Sequence, residues 1–231
     1  MLFSVRYIDL SGKSYQEAWD YQTGVHLALI RQKREGSSGF PHHLILCEHR
    51  PVYTLGKSGD EKHLLLSPEE CEKRGIEYHK INRGGDITYH GPGQITGYPI
   101  LDLDQVYTDV HRYVRELEES IIRTLSRFGI KGSRIEGYTG VWIKADQPGD
   151  QNRKICAIGV HLSRWVTLHG FALNVNTELS YFDNIVPCGI ADDDKTVTSM
   201  EKELGSTLDM DEVKKVFKEE FAAVFGFVYE S

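Results

Sequence analysis

The chain has 231 residues, 40% of them hydrophobic and 26% charged, with a formal net charge of −7. That length suffices for one large domain or two small ones around a sizeable core. The acidic balance argues against a generic nucleic-acid or anionic-membrane binder, because a phosphate backbone asks for a basic face, and no uninterrupted apolar run reaches the length of a membrane span.

The start, M-L-F-S-V-R-Y-I-D-L, alternates like a strand over residues 2–9. It lacks a basic n-region and a small-residue cleavage site, so the expectation is a cytoplasmic protein beginning at Met1. Ser14 and Glu17 form a capping box, after which Tyr15, Trp19, Val25, Leu29 and Ile30 recur at helical spacing to about Lys33. A loop, E-G-S-S-G at 35–39, leads to short strands at 43–48 and 51–55. Ser67-Pro68-Glu69-Glu70 opens a short helix that Gly75 ends, and residues 78–82 are strand-like. Then comes R-G-G-D-I-T-Y-H-G-P-G-Q at 83–94, followed by an apolar run over 95–103.

Tyr107, Val110, Val114, Leu117, Ile121, Leu125 and Phe128 mark the longest helix, stopped by Gly129. A strand is expected at 138–144 and a polar turn at 145–152. Two apolar runs, 155–162 and 165–175, flank Ser163–Arg164 and predict a hairpin. Ser199 caps a short helix ending at Gly205, and Asp209 opens a last one carrying Val213, Val216, Phe217, Phe221 and Val224. There is no internal repeat and no low-complexity linker. Short strands with helices before, between and after them predict one domain of mixed α/β class, largely antiparallel, without the regular alternation of a doubly wound fold.

Four cysteines, Cys47, Cys71, Cys156 and Cys188, form no C-x-x-C pair and no zinc spacing with histidine, so no metal site is expected and the thiols are expected reduced. Gly84-Gly85 and Gly91-Pro92-Gly93 flank D-I-T-Y-H. These glycines allow close approach of main chain to a ligand, with Arg83, Thr88, Tyr89 and His90 supplying polar groups. The same composition fits a plain hairpin with tight turns, and neither G-x-G-x-x-G nor a P-loop is present.

Cys188 sits in V-P-C-G-I, on a turn fixed by proline and left open by glycine. A nucleophilic thiol needs a neighbour that lowers its pKa or takes its proton; the candidates are His90, His161, His169 and Lys154. Lys154 heads the run I-C-A-I-G-V, so its backbone is expected inside a sheet. A period of two puts Cys156 on the same side as Lys154, a second candidate thiol, though its apolar flanks suit packing better.

Taken together, R-G-G-D-I-T-Y-H-G-P-G-Q at 83–94, R-K-I-C-A-I-G-V at 153–160, H-G-F-A-L-N-V-N at 169–176 and V-P-C-G-I at 186–190 resemble the lipoyl(octanoyl) transferases, the octanoyl-[acyl-carrier-protein]:protein N-octanoyltransferases of lipoic acid synthesis. The resemblance implies a biotin/lipoate protein ligase-like catalytic domain over residues 1–231, with its core at about 37–225. It implies transfer of octanoyl from octanoyl-acyl carrier protein to a lysine of lipoyl domains, those of 2-oxoacid dehydrogenase subunits and of the glycine cleavage H protein. No ATP or metal cofactor, nucleic acid or membrane is implied. Cys188 would carry the acyl thioester and Lys154 the proton. Arg83, Gly84, Gly85, Asp86, Ile87, Thr88, Tyr89 and His90, with Ala157, Ile158, Gly159, Gly170, Phe171 and Ala172, would bind the acyl group. Main-chain amides near Gly85, Gly159 or Gly189 would serve the oxyanion, and a local basic patch would meet the acidic partners. One departure is Cys156, where alanine or serine is expected. The competing expectations are an ATP-dependent lipoate or biotin ligase of the same fold, and a non-catalytic module that binds lipoyl domains or acyl carriers.

Overall fold

The computed structural model describes residues 3–36, 40–186 and 194–230. Strand β1 (Phe3–Asp9) leads into α1 (Tyr15–Arg34) through the expected box: the Ser14 hydroxyl accepts from the Glu17 N–H, and the Glu17 carboxylate accepts from the Ser14 N–H at 2.9 Å. After β2 (His42–Cys47) and β3 (Val52–Leu55), a second box, Ser67 with Glu70, starts α2 (Pro68–Lys73). Then follow β4 (Glu77–Lys80), β5 (Ile87–His90), β6 (Gln94–Ile100) and α3 (Val110–Arg127). The second half holds β7 (Ser133–Ile135), β8 (Tyr138–Ile143), β9 (Asn152–Ser163), β10 (Val166–Asn174) and β11 (Lys195–Val197), then α4 (Met200–Leu204), α5 (Met210–Phe225) and β12 (Phe227–Tyr229).

Among the described residues the strands form two sheets. The larger runs β12-β1-β2-β6-β10-β9-β8-β7, with β11 beside β9, and the smaller runs β4-β3-β5. From β2 to β7 the pairing is antiparallel; β1 is parallel to both its neighbours. This is the mixed, largely antiparallel architecture read from the sequence.

Alternation along β6 and β10 divides the large sheet into two faces. Ile95, Phe171 and Leu173 meet Leu117 and Ile121 of α3 and Phe217 and Phe221 of α5 in the main core. Each such fully buried side chain contributes about 1.5–3 kcal/mol. Ile100, Val166 and Leu168 point the other way, where Ala18, Leu29 and Ile30 of α1 cover them. Thr96, Tyr98, Gly170 and Ala172 share that second face, and opposite them stands the small sheet.

Two local features depart from the expected pattern. Ser163 pairs with Val166, so the hairpin turn is Arg164–Trp165, one residue later than expected, with φ of 51° and 64°. Positive φ at both central positions is the two-residue turn whose twist matches the flanking strands. Lys33 fastens it from outside, donating to the Arg164 carbonyl at 2.7 Å.

In β9 a bulge interrupts the period of two: Val141 pairs with Cys156 but Trp142 with Lys154, so two steps of β9 match one of β8. Ile155 and Cys156 therefore both enter the main core, while Lys154 and Ala157 face the other side. Strict alternation, which paired Cys156 with Lys154, fails here.

Gly140 makes room for the bulge. Its φ is 117°, and a Cβ there would stand 2.5 Å from the Cys156 carbonyl oxygen. Its N–H donates to Glu118 Oε1 at 3.0 Å, and Glu118, fully buried on α3, also accepts from Arg115 at 2.7 Å and Arg134 at 3.0 Å. Glu118→Ala strands that N–H and removes the carboxylate from between two arginines. The expected cost is about 3 kcal/mol, the low end for a broken buried pair because both arginines reach solvent. Urea midpoints of the variant and of Glu118→Gln measure it, and a loss under about 1 kcal/mol for the alanine would deny Glu118 this anchoring role.

Candidate active site

Between the small sheet and the half of the large sheet that α1 leaves bare lies a cavity of about 880 Å³, counted to its open mouth. Its floor is the second face of β9, β10 and β6: Lys154, Ala157, Gly159, then Asn174, Ala172, Gly170, then Gln94, Thr96, Tyr98. Its roof is the segment from Ile81 through Arg83, Gly84, Gly85, Asp86, Ile87 and Thr88 to His90; Tyr15 of α1 closes one end, and Thr139, Phe182 and Val197 border it as well. Roof and floor touch main chain to main chain. The Gly84 N–H donates to the Val160 carbonyl at 3.1 Å, and a Cβ on Gly159 would lie 2.8 Å from the Gly84 oxygen. Side chains at these two positions would force the layers apart.

The structure thus brings three of the segments singled out in the sequence around one space: 83–90 above, 154–159 and 170–172 below. Tyr89 is the exception. Alternation along β5 sends it into the small sheet's own core, stacked on Tyr181 with ring centroids 4.6 Å apart, and it does not border the cavity. Ile158 and Phe171 border it differently from their neighbours. The Phe171 ring lies 4.7 Å from that of Phe217 in the opposite core, and Ile158 packs on the same core, so both offer the cavity main chain rather than side chain. Of the amides expected to serve an oxyanion, Gly85 and Gly159 border the cavity.

Lys154 reaches the cavity from the bulge. Its ammonium stands 4.6 Å from the centroid of the buried Trp142 ring, a cation–π contact that orients it, and its carbonyl accepts from the Thr198 N–H at 3.0 Å. Cys188 lies outside the described residues. The chain on either side of it is fastened: the Val186 N–H donates to the His63 carbonyl at 2.8 Å, and Asp194 accepts from the Asn152 N–H at 2.9 Å. Two positions beyond Lys195, Val197 is in register with Lys154 itself. The second candidate thiol, Cys156, is fully buried in the core, where burial pushes its pKa up and keeps it protonated.

Two of the three candidate histidines, His90 and His169, line the cavity; His161 does not. His90 belongs to a chain of hydrogen bonds. Gln94 gives its amide hydrogens to the Tyr89 carbonyl at 3.1 Å and Asn174 Oδ1 at 2.9 Å, so its Oε1, 2.8 Å from His90 Nδ1, must accept. Nδ1 carries the proton, and Nε2 accepts from Thr54 at 3.4 Å. Asn174 passes the chain on to the Thr198 carbonyl at 2.9 Å, beside the strand of Lys154. His169 sits at φ 61° and contacts Asn82 Oδ1 through Nε2 at 2.6 Å. Burial, aided by the Arg83 guanidinium, pushes both histidines down to about 3, so both are neutral at pH 7. Arg83 is itself held in the roof, donating to the Thr54 carbonyl at 2.6 Å and the Gly84 carbonyl at 3.0 Å. Neither histidine can serve as a thiol's base without breaking a buried bond; Lys154 borders the same cavity.

Several cavity residues were not singled out from the sequence: Tyr15, Ile81, Thr96, Tyr98, Asn174 and Phe182 among them. For Thr96, Tyr98 and Asn174 a signal existed, since they share the period-two face with Ala172 and Gly170. For Tyr15 and Phe182 none did, because their approach depends on how α1 and a distant turn dock.

Residues 14–222 match a family model, the lipoyl protein ligase A/B catalytic domain. The chain is 53% identical over 229 residues to an octanoyltransferase of Cytophaga hutchinsonii, covering 96% of this chain and 93% of that one. Against an octanoyltransferase of Flavobacterium psychrophilum it is 51% identical over 223 residues, covering 94% of each. Among solved structures, the bipartite lipoate protein ligase of Thermoplasma acidophilum superposes with a TM-score of 0.69 at 17% identity, covering 99% of this chain and 86% of that one. Lipoate-protein ligase A bound with ATP does so with a TM-score of 0.67 at 16% identity, covering 100% and 88%. At such identities the likeness to the solved structures concerns the fold.

Proposed function

Because the chain belongs to the lipoyl protein ligase A/B catalytic-domain family and, within it, to the octanoyltransferases, we propose that its cavity holds the octanoyl chain while Cys188 and Lys154 transfer it. The enzyme is an acyltransferase. Its donor is a thioester, already activated, so octanoyl transfer requires neither ATP nor a metal ion.

The observation that carries the assignment of roles is the position of Lys154 at one end of a trough floored by Ala157, Gly159, Gly170 and Ala172. The Cys188 thiolate, stabilised by the Lys154 ammonium, attacks the octanoyl carbonyl. The carbon–sulfur bond to the phosphopantetheine breaks, and its sulfur takes a proton from Lys154. The acceptor lysine amine then attacks the acyl-enzyme, Lys154 accepts its proton, and the amide forms as the Cys188 thiolate leaves. Main-chain amides of Gly85 or Gly159, which border the cavity, would stabilise the developing oxyanion.

The donor is an acyl carrier protein and the acceptor a lipoyl domain. Finer than that, octanoyl-acyl carrier protein is the donor we assign, and the lipoyl domains of 2-oxoacid dehydrogenase subunits and the glycine cleavage H protein the acceptors. A cytoplasmic setting goes with those partners; among the described residues no helix is long and apolar enough to cross a membrane. One catalytic domain over residues 1–231, its core at about 37–225, accounts for the activity.

Intact-protein mass after incubation with octanoyl-acyl carrier protein, without ATP, tests the roles. An octanoyl adduct is expected on the parent and on Cys156→Ala, and none on Cys188→Ala. An adduct that follows Cys156 would move the nucleophile. No adduct anywhere, with transfer appearing only on addition of ATP, would favour an acyl-adenylate route.

A further inference from the structure

We infer that Asn174 is a positioning residue for Lys154: it closes the seam between two strands that meet beside the lysine, and so fixes where the ammonium stands. This rests on the roles proposed above. Strand β8 pairs with β9 at Arg153, Lys154 and Cys156, filling one flank of that stretch. The other flank is shared. Antiparallel β10 pairs with β9 as far as Leu173 opposite Cys156, and parallel β11 pairs with it as far as Val197 opposite Lys154. The two strands therefore approach each other end to end, and the break between them falls beside Lys154 and Ile155.

At such a break the main-chain groups of both ends need partners from outside the ladder. Asn174, the last residue of β10, supplies one across the gap, its Nδ2 donating to the Thr198 carbonyl at 2.9 Å. The Thr198 N–H in turn donates to the Lys154 carbonyl at 3.0 Å. One residue, Thr198, thus links the Asn174 side chain to the Lys154 backbone. On its far side the Thr198 hydroxyl donates to Glu203 Oε1 at 2.6 Å, the same oxygen that accepts from Arg153 Nε at 2.8 Å.

The Asn174 amide is held in one orientation. Its Oδ1 accepts from Gln94 Nε2 at 2.9 Å, and Gln94 Oε1 accepts from His90 Nδ1 at 2.8 Å. Asn174, Gln94 and Thr198 are 4%, 1% and 0% exposed, so bulk water does not compete for these bonds.

The seam matters to the chemistry because the ladders at Lys154 are short or irregular. Strand β11 pairs over three residues, and the β8 pairing changes register between Lys154 and Cys156. The chain that carries Cys188 runs on into β11. The bond from Thr198 to Lys154 therefore ties the strand of the ammonium to the chain of the thiol.

The test is a double-mutant cycle on the rate of octanoyl adduct formation, read by intact mass, for the parent, Asn174→Ala, Lys154→Met and the double variant. Asn174 borders the open cavity, so water can take the place of its amide and the alanine variant is expected to fold. A displacement of about 1 Å in a reacting group can cost about 10²-fold. Asn174→Ala is expected to slow adduct formation about 10–100-fold, with the half-saturating concentration of octanoyl-acyl carrier protein changed by no more than a few-fold. In the Lys154→Met background the same substitution is expected to cost less than about threefold, since no ammonium is left to misplace. Glu203→Ala releases Thr198 from outside the cavity and is expected to behave in the same way at smaller amplitude. Losses that multiply in full with that of Lys154→Met, for Asn174→Ala or, should that variant not fold, for Glu203→Ala, would overturn the positioning role, because general destabilisation or direct acyl contact would produce them. An Asn174→Ala protein with the parent's rate overturns it too. A parent that forms no adduct without ATP removes the octanoyl function itself, a result distinguishable from both.

Discussion

Lys154→Met is expected to fold and to transfer octanoyl about 10²–10⁴-fold more slowly than the parent, the range spanned by a lost proton-transfer group. Methionine keeps an unbranched stem beside Trp142, so the bulge of β9 stays packed while the charge over the ring is removed. The residues proposed to hold the acyl chain, Ala157, Gly159, Gly170 and Ala172, are untouched. The loss is therefore expected in kcat, with KM for octanoyl-acyl carrier protein changed by no more than a few-fold. Lys154→Arg separates the two roles. Arginine stays charged and does not surrender a proton, so it should still support formation of the thiolate and a slow adduct, and fail in turnover. Steady-state transfer to a lipoyl domain, with adduct formation followed by mass, reads both. A methionine variant within about threefold of the parent would remove Lys154 from the chemistry.

The sequence carried the site's inventory further than its geometry. Segments 83–90, 154–159 and 170–172 converge because period-two strands put Ala157, Gly159, Gly170 and Ala172 on one face, and that period is legible in a string. That rule was not applied to the glycine-flanked segment, which was taken as one surface with Tyr89 in it. Alternation along β5 puts Thr88 and His90 toward the cavity and Tyr89 behind it. It failed outright at Cys156, where one extra residue in β9 shifts the register; no residue type at 154–156 announces a bulge, and the glycine that permits it, Gly140, lies on another strand. Short edge strands such as β7, β11 and β12, three residues each, owe their extended shape to the neighbour they pair with rather than to any local pattern. Tyr15 was read correctly as the start of a helix, but its place against the cavity follows from the docking of α1 on β6 and β10, which is tertiary information.

Mild acid is expected to unfold this protein well before its carboxylates titrate. His42, His49, His90 and His169 are between 1% and 6% exposed, and burial pushes the first two down to about 4 and the last two to about 3. In the unfolded chain each titrates near 6.5. Between those values the unfolded state binds more protons than the folded one, so stability rises with pH there; it is fully present above about pH 6.5 and is lost as pH falls toward about 4. Each histidine contributes a slope of up to about 1.4 kcal/mol per pH unit, hence about 2 kcal/mol lost by pH 5. Four together approach the whole stability of an ordinary domain, about 5–15 kcal/mol. They do not titrate independently. The rings of His49 and His90 are 6.1 Å apart, and protonating one makes the other harder to charge, which favours one cooperative collapse over four separate steps. Protonated His90 can no longer accept from Thr54, so the roof over the cavity loosens as the fold does. Urea unfolding at pH 7.5, 6.0 and 5.0 should give a free energy that falls by several kcal/mol, with about three to four protons taken up per molecule unfolded near pH 5. A flat profile over that range would mean that these histidines are charged or solvated in the folded protein, and would undo the neutral network assigned around His90.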